Sequence, residues 1–310
     1  MKFVHQSVLL WECMEALNIH PTGVYLDGTL GGAGHSLQIC KQLTTGRLVG
    51  VDRDAVALQA AAERLKRYKS RITLVHDNFA NIDEICRGTG IDAFDGMLFD
   101  LGVSSPQLDD GARGFSYMTD APLDMRMNRE DSLTAFDIVN NWPKEELRRI
   151  LYEYGEERYA PQIAAAIDRV RVDRPIETTL ELVEIIKSAM PDKALREKQH
   201  PAKRSFQAIR IAVNDELSAV SLMMRAAIDH LKPGGRLAVI TFHSLEDRIV
   251  KNAMAQAARG CTCPPNFPVC VCGKTPQVQL LTRKPIVATV EEVEQNPRAR
   301  SAKLRVCEKL

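Results

Sequence analysis

The chain has 310 residues with 41 Lys+Arg against 40 Asp+Glu, a formal net charge of +1, so a histone-like or wholly unstructured polyanion binder is excluded and any nucleic acid must be met by local patches. With 45% hydrophobic and 26% charged residues the composition is that of a globular protein, and the length predicts about two domains. Glu12 and Glu15 interrupt the apolar run that a signal peptide would need, and no later stretch reaches the roughly 18 apolar residues of a membrane span, so a cytoplasmic location with no membrane partner is expected.

In chain order, the amino-terminal half repeats one pattern: an apolar, β-branched run ends in aspartate, and a polar or helical stretch follows. The runs are VYLD at 24–27, LVGVD at 48–52, ITLVHD at 72–77 and GMLFD at 96–100, and their aspartates Asp27, Asp52, Asp77 and Asp100 are spaced by 25, 25 and 23 residues. A parallel strand of about five residues, a crossover helix and two short loops fill such a period, and near-continuous apolar strands belong to a sheet covered on both faces. Helices are predicted over 36–43 and over the Ala-rich stretch 55–68. The pattern predicts a doubly wound α/β domain. After Asp100 the rhythm stops until the apolar run 235–242, preceded by one long amphipathic helix over 206–230 that Pro233-Gly234-Gly235 closes. Between them, helices are predicted over 143–154, 159–172 and 178–190, and no strand-like run competes. The expected domains are a core of residues 1–103 and 205–310 and an inserted small helical domain of residues 104–204.

In an open parallel sheet, ligands bind outside the carboxyl ends of the strands, where these aspartates fall. The first turn, DGTLGGAGHS at 27–36, carries four glycines and opens a helix amino terminus toward that edge. It does not match G-x-G-x-x-G, and a tight βα turn is the ordinary alternative. Asp52 stands where a ribose diol would be accepted, or serves only as a helix cap. Phe79, after the third strand, offers a ring face to a purine or is a core aromatic. Together these features point to an adenosine-type ligand. Asp100, at the central strand, is placed to grip the nucleophile of a substrate, against the simpler reading of a capped turn.

Two segments concentrate positive charge: Arg196, Lys198, Lys203, Arg204 and Arg210 in the first, Arg298, Arg300, Lys303 and Arg305 in the second. Phosphate contact is the reading preferred over a merely solvated face. His243 and Ser244, after the run 235–242, are candidates for lining a base pocket, with Ser244 alternatively a helix cap completed by Asp247. Cys261, Cys263, Cys270 and Cys272 form a C-x-C, six-residue, C-x-C arrangement. Four thiolates at that spacing are expected to close a structural zinc site; reduced buried thiols and a redox pair are the alternatives.

The segments DGTLGGAGHS, DLGVSSPQLDD, RGFSY, PLDMRM, YGEERYA, SFQAIRIAVN, LKPGGRLAVITFHSLEDRIVK and NPRARSAKLR together resemble the small-subunit ribosomal RNA cytosine-N4 methyltransferases, the RsmH or MraW family. The resemblance implies a class I S-adenosylmethionine-dependent methyltransferase core, Rossmann-like and mostly parallel, with the insertion as a substrate-recognition domain. The activity it implies is that of a 16S rRNA (cytosine(1402)-N(4))-methyltransferase. Carried over residue by residue, cofactor contacts fall on Ala33, Gly34 and His35, on Asp52 at the ribose, on Phe79 beside the adenine, and on Asp100 with Gln107 near the reacting centre. Asp100 takes the catalytic role. The expected partner is 16S ribosomal RNA in the small subunit or an assembly intermediate, and a homodimer stays open. The Asp-Pro-Pro-Tyr-type motif of other amino-methyltransferases reads Asp100-Leu101-Gly102-Val103 here, so its stacking aromatic is missing. Rival functions are a noncatalytic RNA-binding ribosome-assembly factor and a nucleotide-dependent dehydrogenase; against the latter, no hydride-handling dyad is evident.

Overall fold

Strands β1 (Val24–Asp27), β2 (Arg47–Asp52), β3 (Ile72–His76), β4 (Phe94–Asp100), β5 (Leu231–Thr241), β6 (Val278–Leu280) and β7 (Lys303–Lys309) form one sheet in the order β3-β2-β1-β4-β5-β7-β6. The computed structural model describes residues 7–104, 107–108, 110–261, 263, 269 and 271–310. β1 to β5 run parallel, and β7 pairs antiparallel with both β5 and β6. The chain divides into two compact units, residues 1–102 with 217–310, and residues 103–216.

In the first unit, side-chain alternation along the strands builds two cores. Leu26, Val49, Val51, Met97, Phe99, Leu237 and Val239 point to one face and pack with helices Ile82–Thr89, Glu216–Asp229 and Ser244–Ala257. Tyr25, Leu48, Leu98, Ala238 and Ile240 point to the other and pack with helices Leu10–Leu17 and Gly34–Gln42. Both faces are covered, which is why these strands are almost entirely apolar. Register places Asp27 beside Leu98, Asp52 beside His76 and Asp100 beside Ile240, so the aspartates share the carboxyl edge. Sheet order reverses between β1 and β4, and the crevice of an open α/β sheet lies at such a switch.

β6 and β7 were not foreseen. β7 reads KLRVCEK, whose charges disguise a strand, but Leu304, Val306 and Cys307 are buried and Arg305 is neutralised from a neighbouring helix. The stretch 55–68 is helical only over Ala55–Arg64, followed by a short 3-10 turn at Lys66–Tyr68.

The second unit is helical: Ala135–Asn141, Lys144–Glu153, Ala160–Asp173, Thr179–Ser188, Asp192–Leu195 and Lys203–Asn214. Thr134 with Asp137 and Thr178 with Glu181 make capping boxes that satisfy the first N–H groups of two of these helices. Their apolar faces, Ile138, Leu147, Ile150, Ile163, Leu182 and Phe206 among them, form a core of their own. Arg126 holds Asp124 with two hydrogen bonds of 2.8 Å, and that carboxyl lies below its ordinary range because those bonds outweigh the cost of burial. The PLDMRM segment is thereby part of the scaffold.

The boundary and the long helix differ from expectation. Asp215 is left-handed (φ 47°), so residues 206–230 are two helices rather than one, and Lys203–Asn214 belongs to the second unit. The side chain of Asn214 explains the attachment: it accepts the Met127 N–H and donates to the Met125 carbonyl, both at 2.8 Å.

Candidate active site

Four strand ends and their turns supply the groups. The turn after β1 is pinned on both sides: the Gly28 N–H donates to the Leu98 carbonyl (2.9 Å) and the Leu30 N–H to the Val51 carbonyl (3.0 Å). Gly28 admits no side chain, because a Cβ there would stand 2.1 Å from the Phe99 ring. Ala33 is fully buried and left-handed (φ 55°), immediately before helix Gly34–Gln42, whose amino terminus opens at this edge. The His35 ring is engaged by the scaffold, with Nε2 3.0 Å from the Val8 carbonyl, and the Ala33 N–H donates to the Leu30 carbonyl at 2.7 Å.

Asp52 is both cap and candidate ligand. Its Oδ1 accepts the Asp54 N–H at 2.9 Å and its Oδ2 accepts the Gly31 N–H at 2.7 Å. Each carboxylate oxygen retains a lone pair for a diol. Burial raises its pKa although both bonds act to lower it. After β3, Asp77 and Asn78 cap the following turn, and Phe79 packs edge-on against Phe99 with ring centroids 6.1 Å apart. The half-buried ring of Phe79 thus packs on the core just past the carboxyl end of β3.

Asp100 is the outlier. Its N–H donates to Thr29 Oγ1 at 2.6 Å, but its Oδ1 is buried with no hydrogen-bond partner among the described residues. Burial first, then the charges of Asp27 and Glu246, push its carboxyl up to about 8. A buried, unpartnered carboxyl costs stability, which makes Asp100 a candidate functional position. Asp27 and Glu246 were not singled out as site residues. Asp27 accepts Ser36 Oγ–H (2.6 Å) and the Thr29 N–H (3.2 Å), and burial still pushes it up to about 6. Its place at a strand end was visible; the role of Glu246 was not, because that depends on β5 lying beside β4.

Other expected residues have local partners. Gln107, in the second unit, accepts the Ser104 N–H on its Oε1 at 3.0 Å. The cap of helix Ser244–Ala257 is His243 with Glu246, not Ser244 with Asp247; the His243 N–H reaches Glu246 Oε2 at 3.4 Å. Of the basic residues, Arg210 is bound to Glu216 through two bonds of 2.8 Å, and Arg305 to Asp247 at 2.7 and 3.1 Å, so both are scaffold rather than phosphate contacts. Arg196, Lys198, Lys203, Arg298 and Arg300 remain exposed. Cys261, Cys263 and Cys272 come together, whereas Cys270 lies outside the described residues.

A model of the MraW methylase family matches residues 2–310. Proteins named ribosomal RNA small subunit methyltransferase H are similar to the chain throughout: that of Brevibacillus brevis is 55% identical, covering 100% of this chain and 99% of that one, and that of Symbiobacterium thermophilum is 56% identical, covering 100% and 98%. Among solved structures, an rRNA methylase from Streptococcus thermophilus aligns with 11% identity and a TM-score of 0.42, covering 99% of each chain. The seven-stranded, mostly parallel sheet with helices on both faces is a doubly wound α/β fold. Matched by the family model from end to end and by relatives at more than half identity, the chain belongs to the MraW methylase family.

Proposed function

We propose that this chain transfers a methyl group from S-adenosylmethionine to the exocyclic N4 of a cytosine in 16S ribosomal RNA, cytosine 1402 by family resemblance, acting in the cytoplasm on the small subunit or an assembly intermediate. The observation that carries the reading is Asp100, with its buried, unpartnered Oδ1 and its carboxyl pushed up to about 8. Such a group fits a cationic cofactor, since a nearby positive charge relieves both its missing partner and the repulsion from Asp27 and Glu246. The residue types at the other strand ends fit as well: backbone N–H groups of Gly34 and His35, the Asp52 carboxylate for a ribose, and the Phe79 ring for an adenine.

When bound, S-adenosylmethionine supplies an electrophilic methyl on a sulfonium, and no metal enters the transfer. The protein must make a poor nucleophile attack. The amine of cytosine delocalises its lone pair into the ring, so Asp100 accepts one N–H and the carbonyl of Leu101 the other, which turns the lone pair toward the methyl. Charge that develops on N4 is stabilised by the same carboxylate, and the proton N4 sheds leaves through it. Alignment of nitrogen, carbon and sulfur supplies much of the remaining acceleration. The second unit serves substrate recognition, and Arg196, Lys198 and Lys203 on it are candidates for phosphate contact.

The test is methyl incorporation from labelled S-adenosylmethionine into small subunits from cells that lack this protein, followed by nucleoside analysis. N4-methylcytidine at a single position is expected. Label on another atom, or none on any assembly state of the subunit, sinks the proposal.

A further inference from the structure

We propose that Cys261, Cys263 and Cys272 hold a zinc ion through three thiolates, and that this ion rather than a hydrophobic core holds the excursion between helix Ser244–Ala257 and β6. Sγ of Cys261 and Sγ of Cys272 lie 3.7 Å apart, and the three sulfurs all lie within 4.8 Å of one another. A disulfide requires about 2.05 Å. Two sulfurs on a tetrahedral zinc, each at about 2.3 Å, stand roughly 3.8 Å apart. The sulfurs are therefore spaced as an edge of a zinc tetrahedron.

Local geometry gives a second, independent observation. The Cys263 N–H points at Sγ of Cys261 (3.4 Å), which is how a backbone donor stabilises a ligating thiolate across a C-x-C turn. Gly273, directly after Cys272, is left-handed (φ 61°) and turns the chain away from the cluster.

None of the described residues from Arg259 to Gln277 is buried, and the two valines are 69% and 72% exposed. Apolar burial therefore contributes almost nothing, and a loop without a core needs a cross-link. The root of the excursion is already closed by the Gln277 N–H donating to the Ala257 carbonyl at 2.8 Å. Beside that root, Gly273, Lys274 and Thr275 form one wall of a recess of about 590 Å³ whose other walls carry Arg225 and Arg259. Metal binding would fix that cationic wall.

The experiment is elemental analysis of the full chain purified under reducing conditions, beside Cys261→Ser, Cys272→Ser and, as a control, Cys86→Ser. Close to one zinc per chain is expected in the wild type and the control, with at least a tenfold loss of zinc affinity in the other two. Cobalt substitution should give the intense visible bands of a tetrahedral site and sulfur charge transfer in the near ultraviolet. S-adenosylmethionine titration of each variant reports that the core is folded, independently of the metal. Absence of zinc from wild-type protein offered the metal, retention of zinc by both serine variants, or a mass showing a Cys261–Cys272 disulfide overturns the assignment.

Discussion

The Asp100 N–H donates to Thr29 Oγ1 at 2.6 Å, so the residue that ends β4 is fastened to the glycine-rich turn that follows β1. Thr29 in turn gives its own N–H to Asp27, and Asp27 accepts Ser36 from the first turn of the next helix. One chain of hydrogen bonds thus fixes the backbone of the candidate catalytic residue from the glycine-rich turn. Thr29→Val keeps the shape but leaves the Asp100 N–H unpaired, a cost of about 1–3 kcal/mol. Turnover should fall about tenfold or more with little change in RNA affinity, and Thr29→Ser should restore most of it. Equal activity in Thr29→Val and wild type would show that the bond positions nothing.

Asp100→Asn keeps the size of the side chain and removes the base. Methyl transfer is expected to fall by about 10²–10³, the scale for losing one group that stabilises developing charge. Single-turnover rates with saturating cofactor separate this from weaker binding. Full single-turnover activity in the variant contradicts the assignment of Asp100 to the amine.

The raised carboxyls set a pH dependence whose sign is determined. Asp100 is pushed up to about 8 and Asp27 to about 6, each mainly by burial. The folded protein therefore binds protons that the unfolded chain has released, and the associated stability is complete below about pH 4 and lost as pH rises through about 6 and then about 8. Ligand-free protein should melt at a higher temperature at pH 6 than at pH 8.5, and Asp100→Asn should flatten the upper part of that slope. Cofactor affinity should run the opposite way, strengthening toward pH 8 as Asp100 ionises beside a cation. Calorimetric melting and titration at both pH values check the two signs.

Ala33 tests the turn. Its left-handed backbone costs about 1–2 kcal/mol in a non-glycine residue, while its methyl packs in a small cluster with Leu30, Ala61 and Leu65. Ala33→Gly relieves the strain and loses the methyl, so a change within about 1 kcal/mol is expected. Ala33→Val puts a branched side chain at a positive φ in a full site, and should lower stability by about 2–3 kcal/mol and weaken cofactor binding. Denaturant midpoints of the two variants give the comparison.

The basic residues divide into two groups with opposite signatures. Arg305 is nearly buried against Asp247, and Arg305→Ala should cost about 1.5–3 kcal/mol by leaving that carboxylate with Lys303, at 3.5 Å, in place of two guanidinium bonds. Arg300 is exposed, and Arg300→Ala should leave the melting temperature unchanged while reducing the salt slope of RNA binding by about one. A salt slope unaffected by Arg300→Ala removes that residue from the phosphate contacts.

What the sequence determined by itself is the regular part: four apolar runs ending in Asp27, Asp52, Asp77 and Asp100, three helices of the insertion, and the residue types of an adenosyl crevice. Strand period and βα spacing are local, and so they are written in consecutive residues. Tertiary structure decided the rest. β7 is a strand because β5 accepts it antiparallel and Asp247 neutralises Arg305, and neither partner is near it in the chain. The long helix ends at Asp215 because the Asn214 side chain is tied to Met125 and Met127. Asp100 differs from an ordinary strand-end cap because the folded chain buries it without a donor for its Oδ1 and sets Asp27, at the end of β1, and Glu246, in the helix after β5, near enough to add negative charge. Charge balance and hydrogen-bond satisfaction belong to groups that meet only in the folded chain, whereas periodicity belongs to the chain itself.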